Sequence, residues 1–262
     1  LNRGFLFADG VYELLRTYNK KLFRYDDHFD RLKFSLEELN LKVPDKKKLT
    51  NIIAELVSLN QLEENNFSVY IQITRGSDFK RQHKFPALNI DQTLMIWLTP
   101  ISPDRLENEN GIKAITHEDL RWQRCDIKSI LLLPNILAKQ KAIEQDATEA
   151  LLIRDGYVME GSHTNLFIIP DGVIKTPPLS NYVLKGITRK VILELCTGSG
   201  MIVKEEKISL DELLSANEIF LTGTSTEVKP VIELSGQKIG SGMPGKVTRK
   251  VQQLFYNYIN EY

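Results

Sequence analysis

A chain of 262 residues with 42% hydrophobic content is long enough to bury roughly 70–75% of its unfolded surface, which suits one large domain or two modest ones. Lysine plus arginine and aspartate plus glutamate both number 34, so no global field draws the chain to nucleic acid or anionic lipid, and any anion site must be local. Two cysteines in unrelated contexts, Cys125 and Cys196, argue for a reducing compartment over a disulfide framework, and the chain is read as cytoplasmic. The most apolar stretch, Ile130 to Ala138, is broken by Pro134 and falls far short of the ~20 residues of a membrane helix.

Leu1-Asn2-Arg3-Gly4 lacks an initiator Met and runs into a predicted strand, so the natural start of the chain is read as missing. Strand patterns at Val11–Tyr18, Phe67–Thr74 and Thr93–Leu98 alternate with helical patterns at Asp27–Leu39 and Lys47–Leu59. In the first helix Phe29, Leu32, Leu36 and Leu39 form the inward stripe, with Asp26 or Asp27 as its cap. The aperiodic stretch Thr99 to Gly111, with two prolines, reads as an interdomain crossing with its boundary near residue 105.

Beyond it the pattern predicts a strand (Ile112–Ile115), a helix (Asn135–Asp146), and two hairpins turning at Arg154-Asp155-Gly156 and Pro170-Asp171-Gly172. A helix over Ile187–Leu195, a strand, a short helix at Leu210–Leu214 and a strand Glu218–Thr222 follow, the last running into Gly223-Thr224-Ser225-Thr226. An amphipathic helix, Val247–Tyr258, closes the chain, and no internal repeat or low-complexity segment interrupts it.

Several motifs fail on chemistry. Gly240-Ser-Gly-Met-Pro-Gly245-Lys246 resembles a phosphate-binding loop, but Val247 stands where a magnesium-holding hydroxyl is needed, so a glycine-rich turn is the better reading and a nucleotide-binding module the non-enzyme alternative. The histidines His28, His83, His117 and His163 are scattered and support no metal site. Neither a Gly-x-Ser-x-Gly elbow nor a Gly-x-Gly-x-x-Gly turn is present.

One constellation is distinctive. Arg121-Trp-Gln-Arg124-Cys125-Asp126-Ile127-Lys128-Ser129 is followed about thirty residues later by Met159-Glu160-Gly161-Ser162-His163-Thr164-Asn165. With Arg3-Gly-Phe-Leu-Phe-Ala-Asp-Gly-Val-Tyr-Glu13, Leu184-Lys-Gly-Ile-Thr-Arg189 and Thr222-Gly-Thr-Ser-Thr-Glu227, it resembles the class IV aminotransferases over almost the whole chain. Arg124-Cys-Asp-Ile-Lys-Ser129, with Arg81-Gln-His83 after Thr74-Arg-Gly76, is most similar to the D-amino-acid enzymes of that family.

The resemblance implies a mixed α/β, two-domain, fold-type IV enzyme: a small N-terminal α/β domain over residues 1–105, lacking its first strand, and a larger β-barrel-like domain with flanking helices over 106–262. The larger domain is expected to carry a strand-borne Lys128, linked as a Schiff base to pyridoxal 5'-phosphate. A lysine amine suits that chemistry, because it condenses with an aldehyde, exchanges with a substrate amine and then moves a proton as a free base.

Glu160 would keep the cofactor's pyridine nitrogen protonated, since an ionised carboxylate at hydrogen-bond distance favours the charged ring. The residues alone also allow Glu160 to be a polar group closing the Asp155-Gly156 hairpin. Gly186, Ile187 and Thr188 open a helix whose free N–H groups attract an anion, and Thr188 adds a hydroxyl. The resemblance adds Arg31, Gly223 and Thr224 to the phosphate and sets Leu184 against the ring, while a solvated or salt-bridged Arg31 and a core Leu184 stay open.

Tyr12, Arg81 and His83 resemble the substrate-carboxylate trap of the D-enzymes, in which the Arg and His come from a second subunit, so a homodimer is implied. An ordinary charged loop over Lys80–Lys84 is the alternative. His163 departs from the run of serines common in the D-enzymes. The expected reaction is transamination between a D-amino acid such as D-alanine and a 2-oxo acid such as 2-oxoglutarate. Aminodeoxychorismate lyase chemistry and branched-chain L-amino-acid transamination share the fold and remain alternatives.

Overall fold

Along the first strand Val11, Glu13 and Leu15 point to one face and Tyr12 and Leu14 to the other, and of these five the odd-numbered three are buried. The computed structural model describes residues 1–86, 90–101 and 105–262. Its contacts divide the chain into a smaller unit, Leu1–Ser102 with Ile127–Leu132 and Tyr262, and a larger one, Pro103–Asp126 with Leu133–Glu261.

The smaller unit opens with a helical turn, α1 (Arg3–Phe7), where a strand was expected. The Asn2 side chain accepts the Gly4 N–H at 2.8 Å, Arg3 Nε binds Asp9 at 2.7 Å, and Ala8 ends the turn in the left-handed region at φ 54°. Strand β1 (Gly10–Tyr18) folds back into β2 (Lys21–Leu22) through Asn19 and Lys20, with φ of 47° and 66°. This two-residue turn has positive φ at both corners and no glycine to announce it in the sequence.

Helix α2 (Tyr25–Glu38) is not capped by an aspartate side chain as expected. Arg24, left-handed at φ 51°, precedes it, and Asp26 and Asp27 lie in the first turn, where they complement the helix dipole. Leu32 and Leu36 are buried as predicted, but His28, Arg31 and Ser35 share that inward face. Helix α3 (Lys46–Leu59) starts under Asp45, whose carboxylate accepts the Lys48 N–H at 2.7 Å. Strands β3 (Phe67–Thr74) and β4 (Thr93–Pro100) complete an antiparallel sheet in the order β2-β1-β3-β4.

The Ile127–Leu132 segment lies along the other side of β1 from β3. Tyr12 N–H donates to Lys128 O at 2.9 Å, Ile130 N–H donates to Gly10 O at 3.1 Å, and Val11 bridges Ser129. Lys128 therefore sits in an irregular edge segment and not in a regular strand, and it packs with the smaller unit, not the larger one where the sequence reading placed it.

In the larger unit, α4 (Leu106–Asn110) occupies part of the crossing expected over 99–111; residues 102–104 of that crossing lie outside the described residues. In chain order there follow β5 (Ile112–Glu118), α5 (Leu133–Glu144), β6 (Glu149–Arg154), β7 (Tyr157–Gly161), β8 (Asn165–Ile169) and β9 (Ile174–Thr176). Then come α6 (Ile187–Gly198), β10 (Val203–Glu205), β11 (Ile208–Ser209), α7 (Leu210–Leu214), β12 (Glu218–Gly223), β13 (Glu227–Leu234), β14 (Gln237–Lys238) and α8 (Lys246–Glu261).

Both Asp-Gly hairpins form as predicted, with Asp155 and Gly156 at φ 51° and 78° and Asp171 and Gly172 at 47° and 81°. The strands build one mixed ten-stranded sheet in the order β10-β9-β8-β12-β13-β5-β6-β7-β11, with β14 on β13. Its central strands curl until β7 reaches β8, where Gly161 N–H donates to Thr164 O at 2.7 Å, which gives the barrel-like character. Strand β13 was not anticipated, because Pro230 and alternating charges break its pattern. The proline is tolerated because the pairing of β13 with β5 begins only at Val231. Leu151, Leu166, Ile168, Ile219, Leu221 and Val231 fill the core that holds this sheet.

Candidate active site

In the smaller unit, the Lys128 backbone N–H donates to Ser35 Oγ of α2 at 3.1 Å and its Nζ stands 4.2 Å from the centre of the Tyr12 ring. A ring face under an ammonium holds it by cation–π attraction and fixes its direction. Tyr12 stacks on Tyr70 at 5.6 Å and Tyr70 on Trp97 at 4.2 Å, so the lysine lies at one end of an aromatic row on the sheet face.

On the opposite face of β1, Glu13 takes Arg31 Nε at 3.0 Å and Nη2 at 2.5 Å, and His28 Nδ1 at 3.0 Å. Burial raises the Glu13 carboxyl, but Arg31 and His28 outweigh it and hold it well below the usual carboxylate range. Arg31 is thus a buried, ion-paired arginine and not a solvated one. Glu13 and His28 were missed, although a charge at an inward position of an alternating strand was a readable signal.

Arg81 and His83 are exposed and meet on Phe7 of α1: the Arg81 guanidinium lies 5.1 Å from that ring and His83 5.5 Å. No hydrogen bond or ring contact ties either residue to Tyr12 among the described residues.

In the larger unit Glu160 is buried at 5% exposure on β7. Its Oε2 accepts Asn165 Nδ2 and the Leu184 N–H, each at 3.0 Å, and its Oε1 accepts Arg121 Nη1. Burial lifts this carboxyl above its ordinary value against the pull of Arg121 and the Leu184 N–H. Asn165 also donates to Leu184 O at 3.0 Å, joining β8 to the loop before α6. That close approach requires glycine at 186, because a Cβ there would stand 1.8 Å from Asn165 Oδ1.

Gly186 is the N-cap of α6 and has no side-chain cap bond, while Ile187 and Thr188 in its first turn are buried. Gly223 ends β12 and Thr224 begins the turn into β13. Beside them Thr222 Oγ1 is buried with no hydrogen-bond partner among the described residues, a polar atom suited to a bound group. The smaller unit offers an amine and a buried arginine, and the larger unit separately offers a buried carboxylate and a helix start with hydroxyls nearby, donor types that suit a phosphorylated pyridine aldehyde.

The Glu160–Asn165 turn is pinned from beneath by Glu149, which the sequence reading did not single out. Glu149 accepts Ser162 Oγ at 2.5 Å, Thr164 Oγ1 at 3.0 Å, and the Ala150 and Ser162 N–H groups at 2.8 and 3.2 Å, and pairs with His163 Nδ1 at 2.9 Å. His163, the departure from the serine run, is spent on this carboxylate on its Nδ1 side. The Gly240–Lys246 turn is no anion site: Glu218 already takes the Val247 and Thr248 N–H groups of α8, at 3.1 and 2.7 Å. Among the described residues no helix is long and apolar enough to cross a membrane, and no group of three or more His, Cys, Asp or Glu is placed to hold a metal.

The amino-transferase class IV family profile matches residues 10–234. The chain belongs to the class IV aminotransferases. It is 42% identical to a D-alanine aminotransferase of Bacillus licheniformis over 98% of this chain and 90% of that one. It is 40% identical to a D-alanine aminotransferase of Staphylococcus aureus strain N315, over 100% and 92%. The crystal structure of the Escherichia coli branched-chain amino acid aminotransferase superposes with a TM-score of 0.89 at 27% identity, covering 98% of this chain and 88% of that one. The T.th. branched-chain enzyme, solved with pyridoxamine 5'-phosphate, superposes at 0.87 with 27% identity over 99% and 88%. As a class IV aminotransferase the protein uses pyridoxal 5'-phosphate and acts on amino and 2-oxo acids.

Proposed function

We propose that this aminotransferase moves an amino group between a D-amino acid, D-alanine first, and a 2-oxo acid such as 2-oxoglutarate, with Lys128 as its catalytic amine. The observation that carries the reading is the full-length similarity to D-alanine aminotransferases at 42% and 40% identity, joined to a Lys128 amine held over Tyr12 and a buried Glu160. Bound pyridoxal 5'-phosphate supplies an aldehyde carbon that takes amino groups and a pyridinium ring that accepts the electron pair of the broken Cα–H bond.

Lys128 Nζ would be the amine that holds the cofactor at its aldehyde carbon, and as a free amine it would be the base that moves the substrate's Cα proton. The Tyr12 ring keeps that amine aimed. Glu160 would hold the proton on the ring nitrogen, and Leu184 would lie against the ring. Gly186, Ile187 and Thr188 at the start of α6, with Gly223, Thr224 and Arg31, bind the phosphate. Tyr12 with Arg81 and His83 binds the substrate carboxylate.

The protein acts as a homodimer in this reading. Arg81 and His83 stand on Phe7, not on their own Tyr12, which suits a trap completed by another subunit. Leu133, Ile136 and Leu137 on α5 are 62, 59 and 59% exposed at helical spacing, an apolar face suited to a second copy. Sedimentation is expected to give a dimer, and an active monomer would contradict it.

The test is a side-by-side assay of the purified protein. D-alanine with 2-oxoglutarate is expected to yield pyruvate and D-glutamate, with L-leucine exchange and pyruvate release from aminodeoxychorismate at least about 100-fold slower, as a misplaced Cα proton loses the alignment with Lys128. Faster turnover of either alternative overturns the reading.

A further inference from the structure

Four charged side chains of the larger unit form an alternating line that the amine and the phosphate contacts do not explain. Glu160 Oε1 takes Arg121 Nη1. Arg121 Nε and Nη2 close on Asp119 Oδ1 and Oδ2 at 2.8 and 3.0 Å, and Nη2 also donates to Tyr182 O at 3.1 Å. Asp119 Oδ2 in turn takes Arg154 Nε at 3.1 Å, and Arg154 Nη2 donates to Arg121 O at 2.8 Å with its guanidinium 4.3 Å from the Tyr182 ring. Asp119, Arg121 and Glu160 are all buried.

We propose that Arg121 is a positioning residue that keeps Glu160 an anion and thereby keeps the cofactor's pyridine nitrogen protonated, with Asp119 and Arg154 holding Arg121 in that pose. This rests on the reading of Glu160 given above.

An unpaired carboxylate in so dry a place costs several kcal/mol, so without Arg121 the group takes up a proton. A neutral Glu160 donates a hydrogen bond to the ring nitrogen without stabilising its positive charge, and the electron sink is weakened. Asp119 has two parts to play. It seats the fork on both oxygens, so the guanidinium cannot swing off Glu160. It also returns a negative charge behind Arg121, so the arginine does not drain Glu160 of the basicity that holds the ring proton. The line alternates negative and positive from Glu160 to Arg154 and sums to zero, which suits a carboxylate that must stay ionised without becoming inert.

The test uses the cofactor-loaded protein with the ring nitrogen isotope-labelled, so that its nuclear resonance reads protonation directly. Wild type is expected to give a pyridinium-like resonance. Arg121→Met is expected to move it toward neutral pyridine, lower kcat for D-alanine at least ~10-fold and change KM less than about 3-fold, as loss of an interaction made mainly in the transition state does. Arg121→Lys, which keeps the charge, is expected to recover part of both effects. In a Glu160→Gln background the Arg121→Met change is expected to be less than about 2-fold, because the group it acts through is gone.

Should Arg121→Met not fold, Asp119→Asn decides: Arg121 stays but loses its clamp, and a partial move of the resonance is expected. An unmoved pyridinium resonance in either variant, or an equal loss of kcat in the Glu160→Gln background, overturns the proposal and leaves Arg121 a structural ion pair. Cofactor trapped by borohydride on Lys128, together with a ring resonance that is the same in Glu160→Gln as in wild type, overturns the reading of Glu160 as well.

Discussion

Two buried carboxylates on neighbouring strands behave oppositely. Glu149 at the start of β6 and Glu160 on β7 are 1% and 5% exposed, and burial pushes both carboxyls upward. For Glu149 the donors win: His163, Ser162 and the Ala150 N–H bring it down to about 2. For Glu160 burial wins, because Arg121, the cation that reaches it among the described residues, is shared with Asp119. A carboxylate ringed by donors from a single neighbouring turn is a fastener; one balanced between a shared arginine and two neutral donors keeps an affinity for protons that chemistry can use.

The contrast is broken most sharply at Glu160. Glu160→Gln keeps the shape and loses the charge, and kcat for D-alanine is expected to fall about 100–1,000-fold while the protein still melts as one species. Steady-state kinetics beside a thermal melt check this; a fall of less than 3-fold would mean that Glu160, too, is only a fastener.

Glu149→Gln is expected to do the reverse, leaving chemistry within about 10-fold but lowering stability by roughly 3 kcal/mol at pH 7, the equivalent of its displacement from 4.5 to about 2. Because the folded value is depressed, this contribution is fully present above the unfolded value near 4.5 and is lost as pH falls toward 2. Urea unfolding at pH 7 and pH 3 should therefore show the gap between wild type and variant narrowing on acidification. A gap independent of pH would contradict the assignment.

The smallest expected effect sharpens the comparison from the Asn165 side. Gly186→Ala places a Cβ 1.8 Å from Asn165 Oδ1, which pushes the amide off Glu160 and Leu184. A loss of ~1–3 kcal/mol in stability is expected, with weaker uptake of pyridoxal 5'-phosphate by the apoprotein, read by fluorescence titration. Unchanged uptake would mean that the Asn165 bridge does not serve the cofactor.

What could be read from the sequence was what repeats or turns. The strands over Phe67–Thr74 and Glu218–Thr222, the latter one residue longer in the structure, helix α7 and both Asp-Gly hairpins followed from alternation, periodicity and positive-φ turn residues. The first helical turn did not, because it depends on one Asn2 cap and the Arg3–Asp9 pair. Strand β13 was hidden by Pro230, which pairs with Phe220 of β12 and precedes the pairing with β5.

In the proposed site, the motif residues were singled out by resemblance, but the charges that surround them were not. Glu13, His28, Asp119, Arg121, Glu149 and Arg154 look like surface residues in composition. Their meaning comes from pairing across as many as 39 positions, as between Arg121 and Glu160, which no local pattern encodes. Lys128 was expected on a strand of the larger unit; its place is fixed instead by backbone bonds to Gly10 and Tyr12 on an edge that the sequence does not mark.

The central claim is that Lys128 carries the cofactor. Borohydride reduction of the pyridoxal-phosphate-loaded protein, followed by proteolysis and mass analysis, is expected to place the phosphopyridoxyl group on the peptide containing Lys128, and Lys128→Ala is expected to retain none. A label on another lysine, or an equal label in Lys128→Ala, would contradict the account.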